Sequence, residues 1–367
     1  MAAMHPDAGP TPNPAFRPGR VPPPGGAEVY HFHRGLPGYA ATPVRSLPAV
    51  AAELGLGEVA LKDESDRFGL PAFKILGTSW AVERVLRRRP DTHTLVAASA
   101  GNHGRAVARC AADRGLSCRI YLPAGASAER AAAIVAEGAR VVQGGTYDGA
   151  AETAHRYADR AGHALAADFA PSGEPDSPAW VVDGYSTLFR ELAEQLDDPP
   201  DLLVVPIGVG ALAAAAVRWA VHESRPTRVV GVEPATAACL TCSLRVGRPV
   251  TVPTPGTTMS GLDCATPSPV AWPTLRDGLA GTLTVTDAEV TVAMSDLAGW
   301  GMRIGDCGAA TLAGLRRLVS DPDCARLRTA LDVDVRTRVV CLGTEGPTDP
   351  VAYRRLIGTA VTSSSGG

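Results

Sequence analysis

Two lysines are the residues of this chain best suited to covalent chemistry. Lys62 and Lys74 lie twelve positions apart in LKDESDRFGLPAFKILGTSWAVERVL (61–86), and the other 33 basic residues are arginines. Lysine can lose its proton near neutral pH and form an imine with an aldehyde, whereas arginine cannot. A buried lysine without a carboxylate partner is nucleophilic because its pKa is lowered. Asp63 and Glu64 are expected to keep Lys62 charged.

A second chemical signal is LLVVPIGVGALAAAAVRWAV (202–221), which predicts a strand, a glycine turn and a helix. Gly208 and Gly210 allow a close approach to a ligand, and the N–H groups that follow suit an anion at a helix N-terminus. G-x-G-x-x-A followed by Glu233 about 25 residues later also matches a dinucleotide fingerprint. That fingerprint usually opens its domain, and here several βαβ units precede it. A phosphate monoester bound at the same turn, with an imine formed on a lysine elsewhere, would explain both this turn and the lysine segment.

Alternating strands and helices have to position these residues. Strands are predicted at 58–62, 94–98, 118–122, 140–143, 163–167, 202–206, 228–233 and 338–342. Helices are predicted at 74–89, 102–114, 127–137, from 144 to about 161, 180–196 and 210–222. This alternation predicts right-handed βαβ units and parallel sheets buried on both faces. Chemistry in such folds lies at the carboxyl ends of the strands.

The composition limits the classes of protein and partner. Hydrophobic residues make up 45% and charged residues 20%, as in soluble globular proteins. A net charge of −3 gives no electrostatic reason to expect nucleic acid or an anionic membrane as a partner. The longest apolar run, at 210–217, is too short to span a bilayer. The eight cysteines predict no disulfide framework, the lone pair Cys239 and Cys242 is interpreted as two half-buried thiols, and no zinc spacing occurs.

Both ends of the chain are expected to be irregular. Residues 1–28 are rich in proline, glycine and alanine and predict a disordered or an extended arm, because they cannot bury enough surface to offset chain entropy. They lack the apolar core of a signal peptide. Residues 358–367 predict a flexible tail. These features together predict a cytoplasmic protein.

Three segments resemble the fold-type II pyridoxal-phosphate enzymes, the tryptophan synthase β-like group. AFKILGTSWA (72–81) resembles their S-F-K-x-R-G-A lysine segment, and ASAGNHGRAVA (98–108) resembles their S-x-G-N-H-x-x-G/A-V-A loop. GVGAL (208–212) resembles their phosphate loop. The resemblance implies pyridoxal 5′-phosphate as cofactor. It also implies a two-domain α/β fold with parallel-rich twisted sheets flanked by helices on both faces.

The similarity narrows to the 2,3-diaminopropionate ammonia-lyases. Four segments are similar to that family: GYAATPVRSLP (38–48), KDESDRFGLPAFK (62–74), TTMSGLDCATPSPVAWPTLRDG (257–278) and TEGPTDPVAYR (344–354). The resemblance covers roughly residues 30–357. It implies a larger cofactor-binding domain of residues 29–85 and 190–357, a smaller domain of residues 86–189, and a homodimer.

The resemblance assigns Lys74 as the residue that bonds the cofactor and later takes the substrate Cα proton. The implied cofactor-binding residues are Lys74, Phe73, Asn102, Gly208, Val209, Gly210, Ala211, Leu212 and Thr344. Asn102 would meet the cofactor 3′-oxygen, although an N-cap would explain it as well. The lyases have serine before the threonine, where this chain has Gly343, so either Gly343 or Thr344 could meet the pyridine nitrogen. A hydroxyl there does not hold the ring protonated, which suits β-elimination.

The resemblance also implies the residues around the substrate. The substrate-binding residues are Ser99, Ala100, Gly101, His103, Gly104 and Tyr185. Asp168 matches an aspartate that could protonate a leaving β-amine, although a strand-end turn would explain it too. Ala100 replaces an aspartate linked with the D-isomer and cannot transfer a proton, so D-diaminopropionate should be a poor substrate. Tyr185 and Trp272 are pocket-wall candidates, with core packing as the alternative.

The function implied is pyridoxal-phosphate-dependent β-elimination from a β-substituted L-amino acid, such as L-2,3-diaminopropionate, giving a 2-oxo acid and ammonia. AASAGNHG (97–104) reads like threonine dehydratase, so a serine/threonine-type dehydratase or a β-replacement synthase stays an alternative. An NAD-binding oxidoreductase and a catalytically silent cofactor-binding relative come from other classes. The expected partner is a small-molecule amino acid.

Overall fold

The fold consists of eleven strands and fifteen helices in the part of the chain that the computed structural model describes, residues 9–168 and 176–364, without the side chains of residues 147, 148 and 359–364. The strands are β1 (Thr11–Pro12), β2 (Val44–Ser46), β3 (Glu58–Asp63), β4 (Thr94–Ala98), β5 (Ser117–Leu122), β6 (Arg140–Gln143), β7 (His163–Leu165), β8 (Leu202–Pro206), β9 (Arg228–Pro234), β10 (Gly281–Val285) and β11 (Arg338–Gly343). The helices are α1 (Ala27–Arg34), α2 (Pro48–Leu54), α3 (Lys74–Arg88), α4 (Asn102–Ala112), α5 (Ala128–Ala136), α6 (Tyr147–Ala158), α7 (Asp176–Gly184), α8 (Ser186–Gln195), α9 (Ala211–Ala220), α10 (Cys239–Val246), α11 (Trp272–Gly278), α12 (Asp287–Gly299), α13 (Asp306–Ser320), α14 (Ala325–Ala330) and α15 (Pro350–Ser364).

A seven-stranded sheet organises the large unit, which comprises Met1–Pro24, Ala41–Asp66 and Leu188–Gly367. The strand order is β1-β10-β9-β8-β11-β3-β2, and every neighbouring pair is parallel except the two at the edges. The chain runs from β8 outward to β9 and β10, and β11 then returns to the other side of β8. In open α/β sheets, ligands bind at the carboxyl ends of strands beside such a switch point.

Buried aliphatic strands and long helices form the core of the large unit. β8 reads LLVVP and is buried along its whole length, as is typical of a strand covered on both faces. α13 packs against β8, β9, β10 and β11, and Gly314 of α13 lies so close to Val232 that a Cβ there would be 2.5 Å from its side chain. Close packing of this kind fixes the sheet ends that carry the loops.

The small unit comprises Gly25–Ala40 and Arg67–Thr187 and has a four-stranded sheet of its own. Its order is β6-β5-β4-β7, and all three pairs are parallel. α3 packs against α4 and α7. The buried core includes Leu95, Ile120 and Val107. β4 therefore presents residues 99–101, and β7 presents residues 166–168, at the same edge of one sheet.

The α/β class with parallel-rich sheets flanked by helices is confirmed. The predicted helix at 180–196 is divided into α7 and α8, with Tyr185 between them. The unit bounds differ from the expected domains of residues 29–85 with 190–357 and of residues 86–189. The difference arises because α3, which the sequence placed in the larger domain, packs on α4 and α7 of the small unit. Within the described residues, no helix is both long and apolar enough for a bilayer.

The chain ends also differ in part from expectation where they are described. Thr11 and Pro12 pair antiparallel with Thr282 and Gly281, and Pro18–Arg20 forms a 3-10 turn. Over residues 9–26 the structure therefore has the extended arm and not the disordered one, and Thr11 and Pro12 of that arm pair with β10. Residues 1–8 lie outside the described residues. The predicted tail of residues 358–367 is helical to Ser364, and residues 365–367 lie outside the described part.

Candidate active site

Lys74 opens α3 directly after Phe73, and its amine faces a carboxylate. Lys74 Nζ lies 3.1 Å from Asp168 Oδ2, and each side chain is 24% exposed. The expectation of a lysine without a carboxylate partner is therefore wrong, because folding brings together two residues 94 positions apart. The result is a half-buried ammonium beside a half-buried carboxylate.

The carboxylate of Asp168 is held in its charged form by two neighbours. Burial raises its pKa, but the charges of His103 and Lys74 and the hydrogen bond from Lys74 outweigh burial and lower the pKa to about 2. His103 Nδ1 lies 3.8 Å from Asp168 Oδ2. At neutral pH Asp168 is therefore an anion and carries no proton to donate.

The ring of Tyr185 completes the surroundings of Lys74. Its centroid lies 4.8 Å from that of Phe73, and the side chain is fully buried. Burial raises the pKa of the phenol to about 12, although the nearby charge of Lys74 opposes this, so the hydroxyl is neutral. Among the described residues the hydroxyl has no hydrogen-bond partner. A buried, unpaired hydroxyl at a reactive amine indicates a place for a ligand atom.

Two glycines allow Tyr185 to reach this position. A Cβ on Gly77 would lie 2.6 Å from the Tyr185 ring, and a Cβ on Gly184 would lie 2.7 Å from the Gly77 Cα. α3 and α7 therefore pack closely at Gly77 and Gly184, where neither residue has a side chain. The sequence patterns did not reveal this contact, although two glycines within helical segments signal a close approach of backbones.

The loop of residues 99–101 joins β4 to α4 in the same unit, and His103 and Gly104 lie in the first turn of α4. Gly101 is the N-cap and Asn102 is the first helical residue, so the alternative of Asn102 as N-cap is not what the structure has. A Cβ on Gly104 would lie 2.3 Å from the Ser99 carbonyl oxygen. Ala100 is half-buried against the core of the small unit. The turn therefore lies at the N-terminus of α4, and helix N-termini are common anion sites.

His103 is buried and held from two sides. His103 Nε2 lies 2.9 Å from the carbonyl oxygen of Ala166, and His103 Nδ1 lies 3.2 Å from Thr78 Oγ1. A carbonyl only accepts, so His103 Nε2 carries the hydrogen that it donates to the Ala166 oxygen. Thr78 lies one turn after Lys74 on α3, and no sequence motif pointed to it.

The glycine loop at 207–210 lies in the large unit between β8 and α9. Gly210 has φ +97° and is the N-cap of α9. A Cβ on Gly208 would lie 2.8 Å from the Gly261 carbonyl oxygen and 3.1 Å from Cys264 Sγ. Side chains are thus excluded at positions 208 and 210 of the turn before α9, the helix that includes Ala211 and Leu212. The result is a backbone cradle of the kind that holds phosphate.

Thr344 follows β11, the strand beside β8, and is 2% exposed. The Gly343 carbonyl accepts a hydrogen bond from the Glu64 N–H at 2.8 Å, and a Cβ on Gly343 would lie 2.9 Å from Leu61. Thr344 therefore offers a side-chain hydroxyl at this position, while Gly343 has a packing role. The phosphate-loop glycines and Thr344 lie at the carboxyl ends of adjacent strands.

A carboxylate–thiol cluster near Thr344 was not expected from the sequence. Ligand atoms of Asp306, Cys307 and Glu345 lie within 4.8 Å of one another. Burial, together with the charge of Glu345, raises the pKa of the Cys307 thiol well above its ordinary value. The three residues come from α13 and the loop after β11, so short-range patterns could not reveal them.

Lys62 is fully buried in the large unit and has partners other than Asp63 and Glu64. Its Nζ donates to the Thr42 carbonyl at 2.8 Å, Glu191 Oε2 at 2.9 Å and Gln195 Oε1 at 2.8 Å. Three donors thus meet three acceptors, and Lys62 is a structural cation.

Glu233 and Trp272, which the sequence singled out as candidates, lie in the following surroundings. The Glu233 carboxylate accepts the N–H groups of Leu240 and Thr241 at 2.8 Å each, and thereby caps α10. Trp272 opens α11 and is buried. Cys239 and Cys242 are free, which confirms their interpretation as thiols, but both are buried and not half-buried as predicted.

Comparison with known proteins adds independent observations. A family described as "Pyridoxal-phosphate dependent enzyme" matches residues 36–331. A diaminopropionate ammonia-lyase of Salmonella typhimurium is 34% identical, over 90% of this chain and 91% of that protein. The crystal structure of diaminopropionate ammonia lyase from Escherichia coli with an aminoacrylate-PLP azomethine reaction intermediate has a TM-score of 0.88 at 29% identity, over 96% and 97% of the chains. A biosynthetic L-threonine dehydratase of Corynebacterium glutamicum is 28% identical, over 86% of this chain and 70% of that protein.

Proposed function

Because the chain belongs to the family of pyridoxal-phosphate dependent enzymes, we propose that it is an ammonia-lyase acting on L-2,3-diaminopropionate and giving pyruvate and two molecules of ammonia. The observation that carries this proposal is the Lys74 amine 3.1 Å from the Asp168 carboxylate, in a chain 34% identical to a diaminopropionate ammonia-lyase. In such a pair the amine can remove the substrate Cα proton while the carboxylate lies beside the β-amine that leaves.

The residues present fit pyridoxal phosphate. The turn leaves no room for a side chain at Gly208 or Gly210 and ends at the N-terminus of α9, which suits the phosphate. Lys74 would bond the aldehyde, Asn102 would meet the 3′-oxygen, and the Thr344 hydroxyl would meet the pyridine nitrogen. When bound, the cofactor supplies an electron sink for a bond broken at the substrate Cα.

The chain's own groups bind the substrate and move its proton. The turn of Ser99, Gly101 and Gly104 holds the substrate carboxylate with backbone N–H groups. The Lys74 amine, when neutral, takes the Cα proton. Asp168 acts on the β-amine as it leaves. Ala100 has no group that could take a proton, so the D-isomer is a poor substrate.

A serine/threonine-type dehydratase remains the second candidate, because Ala100 and the similarity to a threonine dehydratase favour it. A homodimer and a cytoplasmic location are further proposals that rest on the resemblance alone.

Borohydride reduction of the holoenzyme tests the assignment of the reactive amine. The chain has two lysines, so peptide mapping has an internal control: the reduced cofactor should be on Lys74 and not on Lys62. Lys74→Ala should lose the visible absorption band and pyruvate formation. A tag on Lys62, or none, would contradict the proposal.

A substrate panel tests the reaction itself. Pyruvate release from L-2,3-diaminopropionate should exceed that from the D-isomer, L-serine and L-threonine. A preference for L-threonine or L-serine would favour the dehydratase, and equal rates on the two diaminopropionate isomers would contradict the role assigned to Ala100.

A further inference from the structure

The ammonium of Lys74 lies among three side chains of the small unit, which we call the cation cradle: Phe73, Asp168 and Tyr185. Lys74 Nζ is 3.1 Å from Asp168 Oδ2 and 5.6 Å from the centroid of the Phe73 ring. A carboxylate and an aromatic face are the two groups that best attract an ammonium. The cradle is thus chemically a site for a primary ammonium.

Tyr185 contributes a polar atom that Lys74 does not fully use. Its hydroxyl is buried, and among the described residues it has no hydrogen-bond partner. Leaving a buried hydroxyl unpaired costs about 1–3 kcal/mol. The hydroxyl oxygen can accept a hydrogen bond from an ammonium placed slightly differently from that of Lys74.

His103, which Thr78 contacts, is one of the groups that hold the Asp168 carboxylate as an anion. The hydrogen on His103 Nε2 is committed to the Ala166 carbonyl at 2.9 Å, and Nδ1 lies between Thr78 Oγ1 at 3.2 Å and Asp168 Oδ2 at 3.8 Å. Within the described residues, the charged and titratable groups that face Asp168 are Lys74 of α3, His103 of α4 and Tyr185 between α7 and α8. Lys74 and His103 favour the carboxylate over the protonated acid.

Lys74 has to vacate this cradle for its own chemistry. A lysine nitrogen bonds an aldehyde, or acts as a base, only after it has given up an ammonium proton. Whether Lys74 bonds the aldehyde or acts as a base, Asp168 loses the ammonium with which it pairs in this structure. Removing the cation from a half-buried carboxylate costs free energy, so another cation is favoured in the place of the Lys74 ammonium.

We propose that the cation cradle of Phe73, Asp168 and Tyr185 binds the β-ammonium of the substrate, and that the Lys74 ammonium occupies that position in the cofactor-free chain. This inference rests on the proposed function and specifies its substrate class as 2-amino acids with a cationic β-substituent. Asp168 is then the partner of the leaving group's charge and not its proton donor.

The atoms and electrons of the elimination balance without an acid. Over the whole step, Lys74 nitrogen takes the Cα proton, and the Cα–H electron pair becomes the second bond between Cα and Cβ. The Cβ–N bond breaks with its pair on nitrogen, so the β-ammonium departs as neutral ammonia. A β-hydroxyl would depart as hydroxide and would need a proton that the cradle does not supply.

Two isosteric variants of the holoenzyme test the cradle with L-2,3-diaminopropionate and L-serine, which differ in the β-ammonium and β-hydroxyl. Asp168→Asn should lower kcat/KM for diaminopropionate about 100-fold or more, as expected when one partner of a desolvated charge pair is removed. It should change kcat/KM for serine by less than about fivefold, the scale of one neutral hydrogen bond. Tyr185→Phe should raise KM for diaminopropionate about fivefold and leave kcat nearly unchanged.

Matched controls come from the same unit. Asp113→Asn at the exposed end of α4 and Tyr157→Phe of α6 make the same chemical changes away from the cradle. They should leave both substrates unaffected. The visible band and the circular dichroism of each variant report whether it folds and binds cofactor.

Binding of methylammonium to the cofactor-free protein, followed by the Tm, tests the cradle independently of enzyme activity. In cofactor-free Lys74→Ala the cradle has lost its ammonium, so methylammonium chloride should raise the Tm more than an equal concentration of sodium chloride. The extra rise should vanish in Lys74→Ala/Asp168→Asn.

The outcomes separate this inference from the proposed function. Equal losses on diaminopropionate and serine in Asp168→Asn, or no methylammonium effect, would overturn the cradle while the lyase activity stood. If the wild-type enzyme released no pyruvate from diaminopropionate, the proposed function would be wrong, and the methylammonium comparison would still decide whether the cradle binds a primary ammonium.

Discussion

Lys62 and Lys74 are both lysines for a physical reason, and the reasons differ. Lys74 has an amine that can be deprotonated and bonded. Lys62 offers three hydrogens in a compact ammonium to three acceptors, namely a carbonyl, a carboxylate and an amide oxygen. An arginine has five donors in a planar fork and would not fit three acceptors around one nitrogen. In a chain that otherwise uses arginine, lysine therefore stands at the two positions where a guanidinium could not form the imine or fit the acceptors.

Lys62→Met is expected to lower the free energy of unfolding by about 3–5 kcal/mol, because the buried Glu191 carboxylate would lose the Lys62 ammonium that lies 2.9 Å from it. The double variant Lys62→Met/Glu191→Leu should recover much of the loss, since both charges are then removed together. Urea unfolding of the cofactor-free proteins measures both. If the single variant matched the wild type, Lys62 would not be a structural cation.

At the scale of elements, strand ends and helix starts place the chemistry. β8 and β11 are adjacent in the sheet, so the phosphate turn and Thr344 leave neighbouring strands at the same edge. In the small unit, β4 and β7 pair directly and bring the Ser99 loop and Asp168 to one edge. Glu233 at the end of β9 fixes the start of α10 by accepting two of its N–H groups.

The cap of α10 predicts a dependence of stability on pH. Burial raises the pKa of Glu233 from 4.5 to about 7, although hydrogen bonds from Thr241 and Leu240 oppose this. The folded protein thus binds the proton more tightly than the unfolded chain does. The stabilisation is complete below about pH 4.5 and is lost as the pH rises through about 7.

Glu233→Gln removes this titration and retains one oxygen to accept an N–H group. The Tm of the wild type relative to Glu233→Gln should therefore fall as the pH rises from about 5 to about 8. Thermal unfolding over that range measures it. A constant difference between the two proteins would show that Glu233 does not titrate in the folded state.

At the scale of the whole molecule, the large unit combines three separate stretches of the chain. Its first stretch is anchored by Asn13, whose amide donates to the carbonyls of Arg276 at 2.8 Å and Leu279 at 2.7 Å. These carbonyls belong to the C-terminal end of α11, where backbone acceptors lack helical partners. The start of the chain thus closes a helix more than 260 positions away.

Asn13→Ala is expected to destabilise the protein by about 1–3 kcal/mol, because buried carbonyls of α11 would lose their donors. Asn13→Asp should cost at least as much, since a carboxylate keeps the acceptor for the Ala15 N–H but offers no donor. Urea unfolding decides. If neither variant changed the midpoint, the disordered arm predicted from composition would be the better description of these residues.

The sequence by itself determined what is encoded over short distances: the parallel α/β class, most strands, Lys74 in its segment and the glycine turn before α9. These features depend on periodicity and on backbone freedom, which act within about 20 residues. Only the tertiary structure decided which groups meet. Asp168 pairs with Lys74 across 94 positions and Glu191 with Lys62 across 129 positions. Such pairs depend on how helices and sheets pack, because burial and charge select partners in space and not along the chain.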